Sequence, residues 1–287
     1  MFKKKKDQTY QSYWSISWNI FKKNKVAMVC LFIVILLCLI ALFAPLIAPY
    51  DPNKQVLTDR LMKPCGQHWF GTDDLGRDIF SRIIYGCRVS LSVGIISQII
   101  ATVIGYTMGV CAGYYGGKVD SVISFLIQVF SSFPFLLFAM AIMFVLGPGL
   151  INLYLALGLL GWASTARLIR GDVMRLKKME YIDACKVSGG NSFRMKHLLP
   201  NCLSTLIVTV TLGIPNAIMS EASLSFLGLG VKAPMASWGS MISFSQPYIR
   251  SATYYSVIPG LAIIITVLAF NMLGDGLRDA LDPKLRS

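Results

Sequence analysis

Between Ser121 and Ala166 the chain runs for 46 residues without an Asp, Glu, Lys or Arg. A helix of that length, rising about 1.5 Å per residue, far outreaches the roughly 30 Å of hydrocarbon in a bilayer, so one crossing cannot hold it. Gly147-Pro148-Gly149 interrupts the run and predicts two helices joined by a tight turn. Val26 to Ala48, Val89 to Gly117 and about Ser251 to Leu273 are also free of charge, and Leu203 to Leu227 is broken only by Glu221. About 20 apolar residues suffice for a crossing. The expectation is an all-α, polytopic membrane protein with six transmembrane helices. Composition agrees, since 14% of residues are charged where soluble domains average about 25%; most of the outer surface must face lipid.

The formal charge of +13 raises the question of nucleic acid, and the placement of the bases answers it in the negative. Lys3, Lys4, Lys5, Lys6, Lys22, Lys23 and Lys25 precede the first apolar run, and eight more bases lie between Arg167 and Lys196. Both groups flank long apolar stretches, the pattern of Lys and Arg retained on the cytoplasmic side of a membrane. With the N-terminus inside, six crossings put 19 Lys and Arg on the inner side and 8 on the outer. Both termini are therefore expected in the cytoplasm. The segments read as a cytoplasmic stretch 1–25, a first helix 26–48, an outer loop 49–88, a core of five helices 89–273 with a cytoplasmic loop 179–201, and a cytoplasmic tail 274–287. The first apolar run is longer than the roughly 7 to 15 residues of a secretory signal and ends in Ala44-Pro45-Leu46-Ile47-Ala48-Pro49, so it reads as a retained helix stopped by its prolines.

Motifs for chemistry are missing. Gly116-Gly117-Lys118 is not a phosphate loop, because Ala112 and Val119 stand where that loop needs Gly and Ser or Thr. Gly228-Leu229-Gly230 fails the dinucleotide pattern at Ala233. Seven cysteines, an odd number without a C-x-x-C, and two histidines, His68 and His197, placed on opposite sides, predict neither a metal site nor a required disulfide. Cys65 and Cys87 are the one pair near the outer loop, and they are expected to stay unpaired.

Three places remain informative. The loop 179–201 reads as a short helix, a Gly189-Gly190 corner and a second short helix opened by Asn191 and closed before Pro200. Ala184 and Cys185 leave room for another protein, and Tyr181, Ile182 and Val187 could fill a groove; the competing reading is a basic loop held near anionic lipid. In the outer loop, Gly71-Thr72-Asp73-Asp74 predicts the cap of a short amphipathic helix carrying Asp73, Asp74, Arg77 and Asp78, with Arg77 spaced to pair with Asp73. These charges either order the loop or meet a substrate. Glu221, within an apolar run and beside Ser220, Ser223 and Ser225, serves either packing or gating.

Glu180-Tyr181-Ile182-Asp183-Ala184-Cys185, Gly189 and Leu198-Leu199-Pro200-Asn201 resemble the EAA loop of binding-protein-dependent ABC importer permeases. Asp183 replaces the usual Glu, Cys185 the second Ala, and the stretch from Gly189 to Pro200 is shortened. His68-Trp69-Phe70-Gly71-Thr72-Asp73-Asp74-Leu75-Gly76-Arg77-Asp78, Ala48-Pro49-Tyr50-Asp51-Pro52, the run Glu221 to Gly230 and Asp275-Gly276-Leu277-Arg278-Asp279 resemble the C-type permease of dipeptide, oligopeptide and nickel importers. The resemblance implies the type I ABC importer permease fold in a bacterial-type plasma membrane. It also implies a B-type permease partner, one or two kinds of ATPase subunit holding ATP and Mg, and an extracytoplasmic substrate-binding protein. This chain would bind no cofactor itself; Glu180, Tyr181, Asp183, Ala184, Cys185, Gly189 and Gly190 would form the ATPase-coupling contact. Peptide is the first expectation for the substrate, with nickel or a metal chelate the alternative. A secondary transporter or channel subunit is the reading from another class; the first would carry paired ionisable groups at the midplane, and the second leaves the loop unexplained.

Overall fold

The structure, a computed structural model, describes residues 13–179 and 202–282. The described residues fold into helices α1 (Tyr13–Lys23), α2 (Lys25–Leu42), α3 (Ala44–Ile47), α4 (Ile79–Tyr115), α5 (Gly117–Ser132), α6 (Phe135–Leu146), α7 (Leu150–Leu176), α8 (Leu203–Phe226), α9 (Trp238–Ser245) and α10 (Thr253–Leu281). Among the described residues no strand forms, only a single bridge between Thr72 and Asp78. The expected loop residues Glu180, Tyr181, Asp183, Ala184, Cys185, Gly189 and Gly190 lie outside the described residues.

Local sequence explains the breaks. Asn24 accepts a hydrogen bond from the Ala27 amide at 3.1 Å and so caps α2. Gly147 and Gly149 take left-handed φ of 81° and 157° between α6 and α7, as the Gly-Pro-Gly turn predicts. A second break was not expected: Phe133, extended before Pro134, separates α5 from α6, and the two helices meet at 88°. Helices α2, α4, α8 and α10 are long and apolar enough to cross a membrane, and the bent pair α5–α6 makes a fifth if counted as one span. By that measure the count falls short of six. The 27-residue α7 lies outside the set; it runs ten residues past Ala166, through Arg167, Arg170 and Arg175, and packs against α4 more extensively than any other described helix does.

The α4–α7 contact organises the bundle. Gly105, Gly109 and Gly113 fall four apart on one face of α4. A Cβ on Gly105 would lie 2.6 Å from Thr165 Cβ, one on Gly109 2.7 Å from the Ala166 carbonyl oxygen, and one on Gly113 2.7 Å from Val173 Cβ. Contact positions rise together along both helices, so α4 and α7 are parallel and α5–α6 is the return stroke. Against α8 the order reverses: Gly94 meets Ile214 and Ile218, whereas Gln98 meets Gly213. Gly276 of α10 meets Ala27 of α2. In lipid, where neighbouring tails are as apolar as the side chains, such close approach is what favours helix association. Exposed side chains Val29, Phe32 and Leu36 of α2 and Leu261, Ile265 and Leu268 of α10 leave apolar faces outward.

The loop before α4 differs from expectation. Residues 71–78 form turns, not a short amphipathic helix; the helix that starts here is the long α4 itself, with Asp78 as its N-cap. Gly71 and Gly76 hold left-handed φ of 77° and 72°, which a helix cannot accommodate. Cys65 is exposed and Cys87 buried, and both are free.

Gly109→Val should drive side chain into the Ala166 backbone and cost about 1–3 kcal/mol. The check is thermal unfolding in detergent. Gly171→Ala is the control, because its added methyl meets nothing within 4 Å; an unchanged Tm for Gly109→Val would exclude the close-packing account.

Candidate functional site

Three structures converge on α4. At the end where residues 49–78 and 227–252 gather, which we term the cap end, ion pairs order the loop. Asp73, fully buried, accepts from the amides of Leu75 and Arg77 at 2.9 Å each and from Arg77 Nε at 2.6 Å. Its second neighbour is the buried Arg82, whose Nε lies 3.5 Å from Asp73 Oδ2 and whose Nη1 donates to the Pro52 carbonyl at 2.9 Å. Asp78 accepts from the Ser81 amide at 2.7 Å and pairs with His68 Nδ1 at 2.9 Å. Asp74 accepts from Tyr255 Oη of α10 at 3.2 Å. The four expected charged residues are thus brought together, at a loop rather than on a helix face, and Asp73 pairs with Arg77 as their spacing predicts.

Below this cap sits Glu221, fully buried on α8. Ser225 Oγ donates to it at 2.6 Å, and Ser90 Oγ of α4 lies 3.5 Å from its other oxygen. Ser90 also accepts from the Trp238 amide of α9 at 3.2 Å, while the Trp238 indole donates to the Ile83 carbonyl at 3.1 Å. Gly239 brings α9 against Ala222 so closely that a Cβ would lie 2.5 Å from the Ala222 Cα. Glu221 therefore stands at a junction of α4, α8 and α9. Of the three serines expected to surround it, only Ser225 does.

Ser220 and Ser223 face elsewhere. They line a partly open cavity of about 480 Å³ between α4, α6, α7 and α8, with Ser97, Gln98, Ser164 and Asn216 and the apolar Leu157, Ala217 and Met219. Phe135 and Leu136 of α6 close one side. No lining residue is charged. Ser164, Ser220 and Ser223 donate to carbonyls of their own helices at 2.9, 2.7 and 2.9 Å, which leaves their oxygens as acceptors for whatever occupies the space. Sequence reasoning missed this wall, although serines and an Asn recurring within apolar helices were its visible signal.

At the opposite end, the helix ends flanking 180–201 are tied to the bundle. Arg170 of α7 holds Asp120 of α5 with two nitrogens, Nη2 to Oδ2 at 2.7 Å. Thr205 of α8 donates to Asp172 of α7, and Lys177 donates to the Tyr114 carbonyl of α4 at 2.7 Å.

Residues 102–287 match the model for the binding-protein-dependent transport system inner membrane component, and residues 12–64 match the N-terminal TM domain of oligopeptide transport permease C. The chain belongs to this family of inner membrane components. It is 45% identical over 278 residues to the dipeptide transport system permease protein DppC of Bacillus subtilis, covering 96% of this chain and 87% of that one. It is 42% identical over 277 residues to the oligopeptide transport system permease protein OppC of the same organism, covering 96% and 91%. The glutathione transport system permease protein GsiD of Pectobacterium atrosepticum is 41% identical over 285 residues, covering 98% and 95%. Among solved structures, an inward-facing MetNI methionine ABC transporter superposes with a TM-score of 0.56 at 19% identity, over 71% of this chain and 98% of that one. That likeness concerns the fold alone.

Asp73→Ala should leave Arg77 and Arg82 buried without their carboxylate, a loss of about 3–5 kcal/mol by the usual scale for broken buried pairs. Arg175→Ala breaks a pair whose arginine is 66% exposed and should change stability little. Comparing detergent melting of the two variants checks the assignment; equal Tm values would refute it.

Proposed function

We propose that this chain is a permease subunit of an ATP-driven ABC importer and forms half of a translocation pathway for small peptides. The observation that carries this is the uncharged cavity in which Ser97, Gln98, Ser164, Asn216, Ser220 and Ser223 are set among Phe135, Leu136, Leu157, Ala217 and Met219. A peptide crossing a membrane must replace the water on its backbone, and hydroxyls and carboxamides do so without holding it by charge. The wall has no carboxylate, imidazole or thiol, which favours peptide over a bare divalent cation as cargo. Relatives described as dipeptide, oligopeptide and glutathione permeases support the same choice.

The second half of the pathway would come from a B-type permease packed on the open side. ATP and Mg would be held by one or two kinds of ATPase subunit, and peptide delivered by an extracytoplasmic binding protein. The chain would cross an inner membrane six times, counting α5–α6 as one span and α7 as another, with both termini cytoplasmic and the cap end outside. Parallel α4 and α7, antiparallel α8 and a returning α5–α6 support that path.

Loop 179–201 would be the contact with the ATPase, through Glu180, Tyr181, Asp183, Ala184, Cys185, Gly189 and Gly190. ATP must bind one conformation of the assembly better than the other, since a ligand of equal affinity shifts nothing. The ties Arg170–Asp120, Asp172–Thr205 and Lys177–Tyr114 support transmission: a displacement of the loop would carry α4, α5, α7 and α8 together. Glu221, in this reading, packs the outer ends of α4, α8 and α9.

Two measurements test the proposal. With its genomic neighbours reconstituted in vesicles, the complex should accumulate labelled dipeptide when ATP and loaded binding protein are supplied, and Ser164→Trp should block accumulation by filling the cavity. Gly189→Trp, or Asp183→Arg together with Ala184→Arg, should leave the protein inserted and lower uptake at least about tenfold, a loss of roughly 1.4 kcal/mol in coupling. Normal uptake by the loop variants would remove 179–201 from the coupling path.

A further inference from the structure

Ser97 Oγ and Arg82 Nε are the buried side-chain polar atoms without a hydrogen-bond partner among the described residues. Arg82 is compensated by the carboxylate of Asp73, 3.5 Å away. Nothing among the described residues compensates Ser97: it borders the cavity, but its hydroxyl is sealed in the wall and would reach the space only by a turn about χ1. A hydroxyl in a helix ordinarily donates to its own preceding turn, and others of α4 do so: Ser92 donates to the Val89 carbonyl at 2.7 Å and Thr107 to the Val103 carbonyl at 2.9 Å. Ser97 does not.

Its neighbour Gln98 is half committed. One end of the carboxamide bonds Thr102 at 3.2 Å, and the other lies over the backbone of Gly213 with no hydrogen bond from the described residues. A Cβ on Gly213 would sit 2.1 Å from Gln98 Oε1. Gly213 thus makes the room in which the free end of Gln98 rests at the cavity wall. Two adjacent residues thus hold unused hydrogen-bonding capacity beside an uncharged space, and for the sealed Ser97 hydroxyl the lack of a partner is costly.

We propose that Gln98, positioned by Gly213, and Ser97, whose hydroxyl turns out of the wall about χ1, form a backbone-reading subsite that pairs with a peptide unit of the passing substrate. This rests on the importer reading above. A peptide unit offers one N–H and one C=O, which a hydroxyl and a carboxamide end can satisfy together, and it is common to all peptides whatever their side chains. The subsite would therefore favour peptides as a class without selecting among them.

The test uses the complete complex in vesicles, with loaded binding protein, ATP and two labelled dipeptides, alanyl-alanine and glycyl-phenylalanine. Ser97→Ala and Gln98→Leu should each slow uptake of both dipeptides by a similar factor, about three- to tenfold for one lost hydrogen bond. Because Ser97→Ala removes an unpaired buried hydroxyl, its Tm should not fall, a combination that a purely structural serine does not produce. Gly213→Ala should match Gln98→Leu, and Gly213→Ala combined with Gln98→Ala should be no slower than Gln98→Ala alone. Unchanged uptake by Ser97→Ala and Gln98→Leu, or a loss confined to one dipeptide, overturns the subsite while leaving the importer reading intact. Absence of peptide uptake by the unsubstituted complex overturns the peptide reading on which the subsite rests.

Discussion

The close approach of α4 and α7 is the contact on which the rest of the bundle depends. Gly105, Gly109 and Gly113 let the two backbones lie nearly against each other, and a side chain at any of them would push α7 outward. Everything described around the cavity hangs on that distance. Ser97 and Gln98 of α4 and Ser164 of α7 belong to its walls, so a wider α4–α7 spacing would change its width. The same helix pair carries Tyr114, Arg170 and Lys177 at one end and Arg82 and Ser90 at the other. In lipid there is little hydrophobic drive to bring helices together, and close packing with interhelical hydrogen bonds takes its place.

How much of this was legible in the sequence follows from which forces act locally. Charge-free length identifies a membrane helix because lipid penalises charge wherever it falls in the span, and α2, α4, α8 and α10 were readable on that basis. The Gly-Pro-Gly turn was readable because glycine conformation is a property of the residue. Pro134 carried an equally local signal, but it sits in an unbroken apolar run where hydropathy alone predicts continuity. Residues 71–78 misled for the opposite reason: acids after Gly-Thr look like a helix start, yet the carboxylates of Asp73 and Asp78 serve Arg77, Arg82 and His68, partners that only the folded loop supplies. The spacing of Asp73 and Arg77 was right while the backbone between them was not helical.

The cavity was the least legible feature, and for a physical reason. Its polar residues come from three helices separated by up to 126 positions, from Ser97 to Ser223, and each is a lone serine, glutamine or asparagine of a kind that any membrane helix tolerates by bonding its own backbone. Glu221 drew attention because a carboxylate in an apolar run is expensive. In the fold it is satisfied by Ser225 and sealed from the cavity, whereas the quieter Ser220 and Ser223 beside it face the open space. Sequence alone shows cost, and only the structure shows which polar groups have already been satisfied.

Charge is distributed accordingly along the bundle. Asp73, Arg77, Asp78 and Arg82 are buried at the cap end, and Asp120, Arg170, Asp172 and Lys177 tie the opposite end, while the cavity between them has no charged wall. Ion pairs at the two ends have definite geometry, and breaking a buried one is costly; neutral hydroxyls and amides in the middle exchange partners at about 1 kcal/mol each. In the importer proposed above, a body that rocks as a unit while a polar solute slips past it would need that partition. Stiff electrostatic joints belong where helices must hold their neighbours, and weak, replaceable hydrogen bonds belong where the solute must both arrive and leave.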